Sequence, residues 1–161
     1  MALLFLGKTE CPICRNVIID EESAYLFPAF INNTKDILYQ FNDSAFHIEC
    51  LKKHSLGNRA IEFANQFIFR TRPENRICSV GGNKIQNFDD YIFISMLTSN
   101  EREELFDFNF TTLDRNNLKQ WGNRQKFIEI ASKFYGDGKW GDMGAFKYLN
   151  HLIDKVHLSV L

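Results

Sequence analysis

Proline and glycine are scarce, at 3 and 9 of 161 residues, which excludes collagen-like and low-complexity chains. No stretch reaches the roughly 18 consecutive apolar residues of a membrane-spanning helix. The opening MALLFLGKTECPIC has an apolar run of six residues, with no basic flank before it and no small-residue cleavage site after it. It does not read as a secretory signal, and a cytosolic, non-membrane protein is expected. Charge of one sign is also missing. Nineteen Lys and Arg against twenty Asp and Glu leave −1, so no overall field draws the chain to nucleic acid or anionic lipid. What is present is apolar: 45% hydrophobic residues, 16 of them Phe, in a chain as long as one ordinary domain.

Cysteine is limited to Cys11, Cys14, Cys50 and Cys78. With no export signal, thiolates for a metal are a better reading than a disulfide framework. Residues 11–14 read as a tight turn. Val17–Ile19, Tyr25–Ile31 and Leu38–Phe41 suit short strands, and Asn42, Asp43 and Ser44 offer caps for a helix carrying Phe46, His47, Cys50, Leu51 and His54. Ile61, Ala64, Phe67 and Ile68 lie on one face of a second helix. The basic stretch 70–76 around Pro73 reads as a linker. Gly136, Gly138, Gly141 and Gly144 then form a turn rather than a phosphate loop, since neither Gly-Lys-Ser nor Gly-Lys-Thr follows. A last helix is spaced by Ala145, Tyr148, Leu149, Leu152, Ile153 and Val156.

Sliding the sequence against itself by 67 positions gives thirteen identities over residues 11–67 without a gap. Composition alone gives roughly three or four. The pairs include Cys11 with Cys78, Asn16 with Asn83, Asn33 with Asn100 and Asn42 with Asn109. Polar matches of this kind indicate an internal repeat rather than two similar apolar patterns.

Cys11-x2-Cys14 and His47-x2-Cys50 together supply three thiolates and one imidazole, the donor set of a closed tetrahedral Zn2+ site. Two intervening residues let a turn aim both members of a pair at one ion. His54, four residues beyond Cys50, is an alternative to His47. In the second copy only Cys78 survives. Gly81, Asp114 and Asn117 replace the other three donors, so this copy holds no such ion and must stabilise itself by packing. Phe106, Phe108 and Phe110 alternate as a strand would, and Trp121 stands at the place of His54.

CPIC at a knuckle, a strand-rich interval and LYQFNDSAFHIECLKKH resemble the treble-clef zinc fingers, and are similar to bacterial members of which some accompany toxin systems. The resemblance covers about residues 10–67; together with the repeat and the last helix it implies an α+β fold of two treble-clef-like units, each short hairpins plus a helix, with a C-terminal helix packed on them. The expected divisions are a zinc-binding unit at 1–69, a degenerate repeat at 70–135 and a helical segment at 136–161. It also implies one structural zinc and a non-enzymatic, protein-binding task, most concretely an immunity protein that covers a cognate toxin. The partner-facing candidates are Asp89, Asp90, Tyr91, Glu103 and Glu104, acidic and aromatic groups suited to a cationic partner. The competing class is a nucleic-acid-binding zinc finger or an HNH-like nuclease. The nuclease needs a histidine base on the hairpin before the helix, and residues 15–46 contain no histidine.

Overall fold

A computed structural model of the chain describes residues 2–158. Met1, in the first expected unit, and residues 159–161, in the C-terminal segment, lie outside the described residues. Two small antiparallel hairpins and four α-helices make a mixed α/β fold. Strand β1 (Ala24–Leu26) pairs with β2 (Ala45–His47), placing Ala24 opposite His47; β3 (Tyr91–Ile94) pairs with β4 (Thr111–Asp114), placing Tyr91 opposite Asp114. Helix α1 (Ile48–Lys53) follows β2 directly and α2 (Gly57–Thr71) follows α1; α3 is Arg124–Gly136 and α4 is Tyr148–Leu158.

The order of elements recurs 67 positions on. A bridge joins Glu10 to Val17, and another joins Ile77 to Lys84. The left-handed backbone of Arg15 (φ 64°) reappears at Gly82 (φ 68°), and that of Asp43 (φ 49°) at Phe110 (φ 59°). Identical asparagines do identical work: Asn42 Oδ1 accepts from Ile31 N, and Asn109 Oδ1 accepts from Leu97 N and Thr98 N. Asn33 and Asn100 each accept from the backbone N–H two residues on, the local turn that asparagine favours.

Several expected boundaries shift. Leu38–Phe41 belongs to a 3-10 helix, Ile37–Phe41, started by Asp36, whose carboxylate accepts from Leu38 N. Phe106 and Phe108 likewise sit in a 3-10 helix, Glu104–Phe108, and Phe110 follows it at positive φ, so these rings do not alternate along a strand. Their spacing fits either element, and in the first case the capping Asp36, not the apolar pattern, decides between them. Of the expected strand 25–31 only Tyr25 and Leu26 pair within the hairpin, and Ile31 makes an isolated bridge elsewhere. The hairpin's return strand is β2, which delays the helix to Ile48 and makes His47 its N-cap.

One buried cluster gathers Phe27, Phe30, Phe41, Phe46 and Leu51; the other gathers Leu105, Leu113, Phe127, Trp121 and Trp140 with Leu149, Leu152 and Val156 of α4. Helix α4 thus packs against α3. Arg124 fixes its end by donating from Nε to the Val156 carbonyl and from Nη2 to that of His157, both at 2.8 Å. The two clusters are tied by residues 95–101, which run buried until Asn100. Ser99 donates to Asp36 from its backbone N (2.6 Å) and its Oγ (2.8 Å), Arg59 reaches the Ser99 carbonyl, and Ile31 bridges to Met96. From the other side the glycine-rich segment returns to the first half. Asn33 donates to the Lys139 carbonyl and accepts from Gly141 N, and Thr34 N donates to the Gly141 carbonyl. A side chain at Gly141 would meet Thr34 Oγ1 at 2.2 Å, so glycine is required by this close approach. No helix among the described residues is long and apolar enough to cross a membrane.

Candidate metal centre

The hairpin and the Cys11–Cys14 knuckle converge on one point. At the knuckle, Cys11 N donates to the Asn16 carbonyl and Arg15 N to the Cys11 carbonyl, a tight turn that closes through the positive φ of Arg15. Helix α1 presents Cys50 one turn after His47. As N-cap, His47 makes no side-chain bond to the helix, and its imidazole is free to turn toward the sulfurs. The ligand atoms of Cys11, Cys14, His47 and Cys50 all lie within 4.8 Å of one another, with His47 Nδ1 3.4 Å from Cys14 Sγ and 4.0 Å from Cys50 Sγ. Donors about 2.3 Å from a tetrahedral ion are separated by just under 4 Å, so this group fits one metal ion. Cys11 is fully buried and the other three are half-buried.

The thiols carry the electrostatic mark of that crowding. Burial pushes Cys11 up, but the backbone N–H groups of Cys14, His47 and Ile13, with the His47 side chain, outweigh it and bring the thiol down to about 7. Cys50 moves the other way, to about 11, through burial and then through the adjoining Cys14 and Cys11 sulfurs. Three sulfurs that resist sharing negative charge are what a divalent cation stabilises. His54 stands apart: its Nδ1 accepts from Leu56 N, and its ring lies edge-on to Phe41. The structure therefore brings His47, not His54, to the cysteines.

The equivalent place in the second half is filled by amides. Cys78 is buried, and its Sγ accepts from Asp114 N (3.3 Å) and Asn117 Nδ2 (3.5 Å). Asn83 donates to Asp114 Oδ2 and accepts from Asn117 Nδ2, both at 3.0 Å. Burial raises the Cys78 thiol, but the Gly81 N–H, the Asn117 amide and the Asp114 N–H lower it on balance. Gly81 leaves room for this network, because a Cβ there would stand 2.5 Å from Asn117 Nδ2 and 2.6 Å from Asn83 Oδ1. Sequence reading found the missing ligands but not Asn83, whose only signal was its identity with Asn16.

The acidic and aromatic candidates divide into two groups that no hydrogen bond or ion pair joins among the described residues. Asp89 and Asp90 lie in a short 3-10 helix that leads into β3 at Tyr91, whose hydroxyl is buried without a partner. Glu103 is committed to the fold through Lys139 Nζ at 2.9 Å, whereas Glu104 is exposed. Neither a family model, nor a curated protein, nor a solved structure matches this chain.

Proposed function

We propose that this chain is a non-enzymatic protein-binding module whose first half is stapled by a single structural Zn2+, and that its two halves descend from one duplicated treble-clef unit. The observation that carries the reading is the convergence of Cys11, Cys14, His47 and Cys50 within 4.8 Å. Three thiolates and an imidazole favour zinc among divalent ions. Four protein ligands also complete a tetrahedral shell, and catalytic zinc keeps one position for water or substrate. Duplication is supported by the recurrence of bridges, positive-φ residues and asparagine turns at the offset of 67. In its most concrete form, which rests on the family resemblance, the module is an immunity protein that covers a toxin, acting in the cytoplasm through Asp89, Asp90, Tyr91 and Glu104, with Glu103 in a supporting ion pair.

Metal analysis of the purified chain is expected to give one zinc per chain, and Cys50→Ser is expected to lose it and unfold the first half. Structural zinc contributes on the order of 10 kcal/mol in isolated fingers, so full stability after chelation refutes the staple. For the partner, co-expression with the product of the adjacent upstream gene should give a complex and rescue from toxicity. Absence of both overturns the immunity reading, and oligonucleotide binding that weakens steeply with salt overturns the protein-binding reading.

A further inference from the structure

The second hairpin carries a row of rings that the first does not. Phe67 of α2 lies 6.2 Å from Phe93, Phe93 stacks on Tyr91 at 6.2 Å and 8°, and Tyr91 lies 6.0 Å from Phe88. The Arg76 guanidinium sits over the last two rings, 5.0 Å from the Tyr91 centroid and 5.5 Å from that of Phe88. Phe88 is 68% exposed, and Ile77, which follows Arg76 in the chain, is 51% exposed. The first half serves as an internal control. On the same backbone it has Thr9 for Arg76, Glu21 for Phe88, Ala24 for Tyr91 and Leu26 for Phe93. The hairpin therefore folds without this row, and a ring as exposed as Phe88 adds little to stability.

Two charges with no ion-pair partner lie beside the exposed ring. Arg76 forms no ion pair among the described residues, and its Nε is buried without an acceptor. Asp89, exposed and next to Phe88, also has no ion pair. A cation and an anion beside one apolar ring that do not pair with each other can be set cation to anion by a two-fold rotation that brings a second copy onto the patch. We propose that this face binds a second copy of the chain, with the Phe88 rings at the centre and Arg76 of each copy paired to Asp89 of the other. The inference rests on the protein-binding reading and assigns the Asp89–Tyr91 face to self-association. A single-stranded nucleic acid would also use stacked rings, but the carboxylates of Asp89 and Asp90 beside them disfavour a phosphate backbone. A patch of a few side chains belongs with weak, reversible interfaces below about 1,200 Å².

Sedimentation velocity of the zinc-loaded full chain over a dilution series tests this. The weight-average mass should climb from 18.8 kDa toward twice that value as concentration rises. Phe88→Ser and Asp89→Arg, both at exposed positions, should each weaken association about tenfold or more, the effect of a central contact residue. Arg76→Glu combined with Asp89→Arg should restore it, with circular dichroism checking that each variant is folded. If the double variant does not fold, mixing Asp89→Arg with wild type should give intermediate association. A single-chain mass at every concentration, or association indifferent to Phe88→Ser, overturns the proposal while leaving capture of a different protein open to the co-expression test. Salt-sensitive binding of a labelled single-stranded oligonucleotide that Phe88→Ser abolishes, in a chain that stays single, assigns the face to nucleic acid and also overturns it.

Discussion

Asn16 and Asn83 are the same residue at the same place in the two halves, yet only one has been given a structural task. Asn83 donates to the buried Asp114 carboxylate at 3.0 Å and accepts from Asn117 at 3.0 Å, while among the described residues no side-chain bond holds Asn16. Replacing Asn83 with alanine removes one bond to a charged acceptor and one between amides. A bond to a charged group contributes about 1.5–3 kcal/mol and a neutral one about 1. Water can reach the exposed Asn83 position and re-hydrate part of what is lost, so Asn83→Ala is expected to cost about 1–3 kcal/mol. Asn16→Ala should stay within about 0.5 kcal/mol, the range of ordinary surface changes. Both tryptophans, Trp121 and Trp140, lie in the second cluster, so urea titration followed by tryptophan fluorescence reports on the affected half directly. Equal costs for the two substitutions, or an Asn83→Ala cost below about 0.5 kcal/mol, would refute the claim that amides replace the ion.

Metal affinity should rise with pH. The Cys50 thiol, at about 11, is protonated near neutrality and must release its proton to bind, giving at least about a tenfold gain per pH unit; below the Cys11 value of about 7 a further proton adds to the slope. A competition titration with a chromophoric chelator measures this, and a flat profile contradicts it. Asp36→Ala removes the acceptor of Ser99 N, Ser99 Oγ and Leu38 N and should cost about 2–4 kcal/mol in chemical denaturation. Gly141→Ala should cost about 1–3 kcal/mol through the clash with Thr34, with accelerated hydrogen exchange at the Thr34 amide. Arg124→Ala should fray the end of α4, seen as loss of protection there, at a cost of about 1–2 kcal/mol.

The metal group was legible because its information is local: two x2 spacings fix two ligand pairs, and four donors of the right chemistry leave little else to specify. The recurrence of features 67 positions on was legible through polar identities, and Asn42 and Asn109 show why. Each ties a distant backbone N–H to its own turn, a task a substitute side chain does poorly. Strand assignments fared worse. Residues 38–41 and 106–110 are apolar at every second or third position, compatible with a strand or a 3-10 turn, and the carboxylate of Asp36 settled the first case from outside the apolar pattern. The site in the second half was hidden for a different reason. Gly81, Asp114 and Asn117 keep the ligand spacing, but nothing in the sequence marks Asn83 as their partner, because hydrogen bonds between amides tolerate many arrangements where a metal ion does not. Arg76 was passed over as linker charge, and only the ring distances reveal what it covers.

The bonds between Asn33 and the Lys139–Gly141 segment span 106 and 108 positions, and they bear on how the molecule is made. On a ribosome, the four donors of the metal centre are complete once residue 50 has emerged, so the ion can be captured early. The amide of Asn33 must wait until nearly the whole chain has been synthesised. The first half can therefore hold an ion while one of its turns is still unsealed, and a stretch far along the chain, emerging just before α4, is the one that seals it.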